Sequence, residues 1–478
     1  MREDAADNVN LSRRAFLRSA AATIGSVALT SILGSKGVLA GDDKPEHWSG
    51  VIKPLHHPAR CKRVIHLYMA GGPSQLETFD YKPKLAALNG QPMPESFTRG
   101  QPVAQLQGKP LTCLQPLYPF QKYGKSQQEI CTLFPQIGAI ADELCIIRSM
   151  KTEQINHDPA HTFMNTGTSI SGRPSMGSWV LYGLGSESEN LPGFVVLTSS
   201  GRGGQMQPIA SRLWHSGFLP GQFQGVQFKS GADPVCYLGS PGGVTPQQQR
   251  QLIDAIQSLD RQHNQEVEDP EISTRINQYE MAFKMQSSVP DLMDCSNEPK
   301  EVLDLYGATG ADGSFASNCL VARRLAERGV RFIQVYHRDW DHHQSIKRDI
   351  KIKAEEVDRA SAALILDLKR RGMLDDTLVV WGGEFGRSPM AQDVDGRDHH
   401  IRGFSIFMAG GGIKPGITLG ETDELGYNAI QDPVHVHDFH ATLLHLLGID
   451  HKRLTYKYQG RDFRLTDVEG NVVNKILA

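Results

Sequence analysis

Six short apolar runs, each emptying into glycine or polar residues, constrain this chain more than any other feature. They fall at 63–70 (RVIHLYMA), 145–150 (CIIRSM), 194–198 (FVVLT), 331–336 (RFIQVY), 377–381 (TLVVW) and 404–409 (FSIFMA). Runs this short, apolar and without strict alternation are what strands covered on both faces require. Helical patterns lie between them, at 247–263, 271–287, 315–328 and 346–371. In the last of these Val357, Ala360, Leu364 and Leu368 recur at spacings of three and four, and Gly372 ends the run. Strand–helix alternation at both ends predicts an α/β fold, a mostly parallel sheet with helices on both faces. A chain of 478 residues accommodates this as one large domain with insertions or as two domains sharing a cleft. Residues 81–125 read as irregular, and the glycine- and glutamine-rich stretch from 200 to about 245 reads as an excursion over the sheet edge.

The N-terminus follows a different logic. Arg13 and Arg14 precede Phe16 and Leu17, a weakly apolar stretch rich in Ala, Ser and Thr follows, and Val38 and Ala40 put small residues before Gly41. A positive head, a short apolar run and a cleavage site make a secretory signal, and the paired arginines resemble the twin-arginine type. The alternatives are a buried N-terminal helix or a retained anchor. The expected organisation is a signal at 1–40, a polar lead-in at 41–60, a main domain at 61–450 with an excursion at about 200–300, and a C-terminal tail at 451–478. A periplasmic or secreted location follows, with the twin-arginine export machinery as a partner.

Charge narrows the function. Fifty basic against 53 acidic residues leave a net charge of -3, which gives no support to nucleic-acid binding. Seven cysteines form no CxxC pair, so a zinc ribbon or an iron–sulfur site is disfavoured.

Polar chemistry gathers just after the apolar runs, where ligands sit in open α/β sheets. Gly71, Gly72, Pro73 and Ser74 follow the first run, with Glu77 and Asp80 beyond. This is either a backbone cradle for an anion or a plain turn. Asn156, His157, Asp158 and His161 follow the second, with Thr166-Gly167 further on. His337, Asp339, Asp341, His342 and His343 follow the fourth and combine ligands suited to zinc or manganese. Glu384 and Arg387 follow the fifth, the arginine either clamping a phosphate or sulfate or pairing with a structural carboxylate. Arg397, Asp398, His399 and His400 precede the sixth. Asp432, His435, His437, Asp438 and His440 precede the last helical pattern, where some line the rim or, like His440, pack on that helix. One pocket uniting these strand ends implies a divalent-metal centre acting on an anionic ester.

The segments HLYMAGGPSQLETFDYKPKL, DWDHH, GGEFGRSP, GRDHH and DFHATLLHLLGI closely resemble the exported bacterial family DUF1501 over about residues 60–450. That family is grouped with the alkaline phosphatase and sulfatase superfamily. The resemblance implies an alkaline phosphatase-like three-layer sandwich with a metal site at the strand ends. Carried over residue by residue, it puts metal on Asp341, His343 and His399, with Asp339 as an alternative to Asp341. Three positions depart from the superfamily pattern. Gly71 to Ser74 stand where a first Asp ligand is usual, Glu384-Phe385 replaces an Asp-His pair, and His157 occupies the nucleophile position. The expectation is an exported metal-dependent hydrolase of phosphate or sulfate esters, acting on an anionic ester or on a sulfated or phosphorylated envelope glycan, using Zn, Mn or Ca. Asp341, His343, His399, Glu384 and Asp339 are its candidate ligands, and His157, Ser74 and Arg387 its candidate catalytic groups. The competing expectation is a non-catalytic metal- or ligand-binding protein on the same scaffold in the bacterial envelope. An oxidoreductase with a redox metal is a third class, without an organic-cofactor fingerprint to support it.

Overall fold

A computed structural model describes residues 48–478, except 204–206, 208, 231–233, 236–238, 240–242 and 268–269. The export signal expected at 1–40 lies outside the described residues. Among those described, no helix is long and apolar enough to cross a membrane.

The apolar runs become strands β1 (Arg63–Met69), β2 (Cys145–Lys151), β3 (Phe194–Ser199), β5 (Phe332–His337), β6 (Thr377–Gly382) and β9 (Phe404–Ala409). Short strands β4 (Val226–Phe228), β10 (Ile417–Leu419) and β11 (Val434–His435) extend the same sheet. Its order is β10-β2-β9-β6-β1-β5-β3-β4, with β11 pairing to β2. Every pairing is parallel except those of β9, which is antiparallel to both β2 and β6. The C-terminal ends of β1, β2, β3, β5 and β6 therefore share one edge.

Two helices, α3 (Pro246–Val267) and α4 (Pro270–Met293), fill part of the expected excursion. Residues 236–289 cluster as a compact unit apart from 48–235 and 290–478, which hold the sheet. Arg250 on α3 meets Glu280 on α4 at 2.6 Å.

Alternate residues along each central strand face opposite layers. Val64 and Tyr68 of β1 and Phe332 and Tyr336 of β5 share a core with α2 (Met176–Leu184) and α7 (Val436–Leu446). On the other face His337 of β5 meets Phe315 of α5 (Phe315–Glu327), ring centroids 5.2 Å apart, and Glu356 of α6 (Ile346–Arg370) at 3.1 Å. Helices thus cover both faces, the predicted three-layer arrangement. The C-terminal stretch expected as a tail is instead part of the core, because Leu454, Leu465 and Ile476 are buried beside α7.

A hairpin over this edge was not expected from the sequence. β7 (Gly386–Gln392) and β8 (Gly396–His400) pair antiparallel, with His399 opposite Arg387. Both strands are almost entirely buried despite being polar, so their side chains must find partners inside.

Candidate metal centre

The centre is built from loops that leave the shared strand edge, together with the hairpin. Helix α1 (His157–Thr166) starts just beyond β2 and presents His157 and, one turn later, His161; left-handed Gly167 closes it. Asp341 and His343 lie in the loop after β5, Glu384 lies after β6, and His399 comes from β8. Two glycines let other backbone pack against the Asp341–His343 loop. A Cβ on Gly71, whose φ is +120°, would lie 2.6 Å from Asp341 N, and one on Gly396 would collide with the His343 carbonyl.

Asp341 Oδ1 is the hub. His343 Nε2 is 2.9 Å away, His157 Nε2 3.2 Å and His399 Nε2 3.4 Å. One donor atom from each of these four residues lies within 4.8 Å of the others. The other nitrogen of each ring is already bound. His399 Nδ1 donates to Ile155 O at 2.7 Å, His343 Nδ1 to Gln392 Oε1 at 2.6 Å, and His157 Nδ1 to Glu384 Oε1 at 2.7 Å. With the proton held on Nδ1, each Nε2 carries a lone pair, and three lone pairs facing one carboxylate oxygen repel unless a cation lies between them. His157 Nε2 is buried and makes no hydrogen bond, as a ligand atom would.

The donor set fits a divalent ion. Zinc with bonds near 2.0–2.1 Å places neighbouring tetrahedral ligands about 3.3 Å apart, close to the three distances measured from Oδ1. Three imidazoles and one carboxylate are borderline ligands suited to zinc or manganese more than to calcium. A second set shares His157: His157, His161 and Glu384 also bring donor atoms within 4.8 Å of one another. Glu384 is fully buried, accepts from Gly71 N at 3.0 Å, and lies 3.5 Å from His161 Nδ1.

Electrostatics follow from burial and partners. Burial alone would raise the Asp341 carboxyl, but the Arg387 guanidinium beside it outweighs burial and holds it far below the usual carboxylate range. Burial would likewise raise Glu384, yet His161 and His157 bring it below its ordinary value. Burial lowers His399 to about 4, only partly opposed by Asp341, so it stands as the neutral ligand form. His157 is lowered by burial but raised overall by the two carboxylates it bridges.

Other residues singled out in the sequence land elsewhere. Arg387 is fully buried: Nε donates to Gly72 O at 2.9 Å, Nη1 to Arg397 O at 3.2 Å, and Nη2 to Gly71 O and to Asp341 Oδ1, the latter at 2.6 Å. It fixes Asp341 and is not free to clamp an anion. Ser74 is fully buried and donates to Glu77, which pairs with the buried Arg397 at 2.7 Å, so Ser74 belongs to a structural network. Asp339 adopts φ +72° and faces Lys353 at 3.9 Å, outside both donor sets. His342 packs against Trp340.

Three glutamines missing from the sequence reading complete the surroundings. Gln207 Nε2 donates to Asp341 Oδ2 at 2.7 Å, leaving Oδ1 as the oxygen that faces the histidines. Gln392 holds His343, and Gln105 Nε2 approaches His343 Nε2 at 3.2 Å. Gln207 falls in the glutamine-rich stretch, Gln105 in the irregular one and Gln392 in neither, and no spacing rule separates them from their neighbours.

The profile of the family described as "Protein of unknown function (DUF1501)" matches residues 61–477. No curated protein matches the chain. Solved structures with similar chain paths include the PsFucS1 sulfatase from Pseudoalteromonas sp., 11% identical over 89% of this chain and 71% of that one, TM-score 0.33. A TAB5 alkaline phosphatase variant with bound Mg is 9% identical over 81% and 98%, TM-score 0.32. A member of the alkaline phosphatase superfamily from Vibrio parahaemolyticus is 11% identical over 88% and 75%, TM-score 0.32. At these scores the likenesses say nothing about residues or substrate.

Proposed function

The chain belongs to the DUF1501 family, and from that premise we propose that it is a divalent-metal-dependent hydrolase of phosphate or sulfate esters. One observation carries the reading: three Nε2 atoms, their protons held on Nδ1 by Ile155 O, Gln392 and Glu384, converge on one Asp341 oxygen. Asp341, His343 and His399 would hold the ion, with His157 as fourth donor. A bound divalent ion supplies Lewis-acid polarisation of an ester oxygen. Arg387 and Gln207 keep Asp341 oriented, one on each oxygen, so the carboxylate does not rotate when its partners change. Glu384 orients His157 and favours a proton on that ring, which equips the pair to hold a proton when the ring is not engaged.

The anionic substrate we favour is a phosphorylated or sulfated glycan of the envelope. The paired Arg13 and Arg14 support a periplasmic or secreted location reached through the twin-arginine machinery. The second reading, a non-catalytic metal-binding protein on the same scaffold, draws on the commitment of Ser74 and Arg387 to structural bonds.

Metal analysis of the purified chain, with a panel of phosphate and sulfate monoesters, tests the two. The hydrolase reading expects bound divalent metal and ester turnover that both fall in D341A and H399A. Metal uptake without turnover across the panel favours the binding protein, and a metal-free, inactive wild type overturns both.

A further inference from the structure

Gln105 is the side chain at this centre whose part the hydrolase reading leaves open. Its amide closes a ring of hydrogen bonds with two neighbours. His343 Nδ1 donates to Gln392 Oε1 at 2.6 Å, Gln392 Nε2 to Gln105 Oε1 at 2.9 Å, and Gln105 Nε2 to His343 Nε2 at 3.2 Å. The direction around the ring is forced. For His343 to offer a lone pair at Nε2, its proton must sit on Nδ1. Gln392 must then turn its carbonyl to that proton, which leaves its NH2 facing Gln105. Gln105 accepts with its carbonyl and presents its own NH2 at the edge of the donor set. Locked this way, the amide cannot offer its oxygen to a cation. It can only donate.

The backbone beneath Gln105 is fixed independently of the ligands. Ala104 N, Gln105 N and Leu106 N converge on Asp398 Oδ2 at 3.1, 2.8 and 3.1 Å, while Asp398 Oδ1 accepts from His399 N at 2.9 Å. The Gln105 side chain is exposed, so a solute entering from solvent can reach it. Arg387, the group expected to bind an anion, spends its donors on Gly71, Gly72, Arg397 and Asp341.

From this geometry, and resting on the hydrolase reading above, we infer that Gln105 recognises the substrate: its Nε2–H rests on His343 Nε2 while no ion is bound, and donates to an oxygen of the tetrahedral phosphate or sulfate group once that lone pair is given to the cation. An amide adds a donor without adding charge, which suits the singly charged sulfate ester as well as the doubly charged phosphate ester.

Titration of the zinc-loaded full chain with inorganic phosphate and with sulfate tests this, alongside zinc content and Tm. Q105L is expected to weaken both anions about ten-fold, the loss of one hydrogen bond to a charged group. Q105E is expected to weaken them further through like charge, with zinc content and Tm at wild-type values in both variants. Because the side chain is exposed, both variants should fold. Q105L that retains zinc and binds both anions within about two-fold of wild type overturns this inference alone. Q105L that loses zinc overturns it too, making Gln105 a support of the metal ligands. A wild-type chain that takes up no metal overturns the hydrolase reading, and this inference with it.

Discussion

Two histidine-rich stretches, 337–343 and 435–440, have nearly the same composition and opposite fates. In the second, every ring is spent on helix ends. His437 Nε2 donates to Gly167 O at 2.7 Å and His440 Nε2 to Met164 O at 2.8 Å, supplying donors at the C-terminal turn of α1. His435 accepts from His437 N at 3.2 Å and, with Asp438, forms the capping box that starts α7. In the first, Asp341 and His343 meet His157 and His399 from remote segments, with lone pairs left facing a common carboxylate. Among the described residues, the donor sets able to share an ion are the two that contain His157. Composition alone does not separate the two stretches; the destination of the ring protons does. The two are nonetheless linked, since the structural stretch secures the C-terminal end of the helix that presents His157 at its other end.

That comparison can be broken most sharply at the hub. Asp341→Ala is expected to weaken zinc at least about a hundred-fold by chelator competition, more than loss of an outer partner. His440→Ala should leave zinc affinity within about two-fold of wild type, a result that zinc loss would contradict. The same variant should lose about 2 kcal/mol in denaturant titration, because the Met164 carbonyl is left buried and unpaired. Gln392→Ala tests whether the proton on His343 matters: an affinity loss of about ten-fold is expected, since the ring is no longer held with Nε2 free.

Acid probes the structural stretch by a separate route. Burial holds His66 and His440 at about 3, against an ordinary value of 6.5. Their folded-state values are depressed, so the unfolded chain binds protons first as pH falls. Their contribution is fully present above pH 6.5 and declines from there toward pH 3, by up to about 1.4 kcal/mol per unit for each group. Denaturant midpoints measured from pH 7 to 4 should fall accordingly. The fall should be shallower in His440→Phe, and an unchanged slope there would place the titrating group elsewhere.

The sheet was legible because its signal is local. The six apolar runs end within a residue or two of the observed strands, and the helix expected at 346–371 forms at Ile346–Arg370. The hairpin at 386–400 was not legible, since its residues are polar and are buried only by partners distant in sequence. Asp341, His343 and His399 could be named as candidates from residue type and position after strands. Their convergence could not, because Asp341 and His157 are far apart in the chain and meet only when the sheet brings its strand ends together.

What the sequence determined by itself was the strand and helix order, and therefore the edge at which polar loops would gather, because hydrophobic periodicity acts over a few residues. Which polar groups became donors to a cation and which became scaffold was decided by tertiary structure alone. Arg387 looked like an anion clamp until buried carbonyls took its N–H groups, and Gln105 looked like loop until Asp398 fixed its backbone beside His343. A hydrogen-bonding group has a fixed number of partners to give. Residue identity sets that number, and only the folded chain sets where they go.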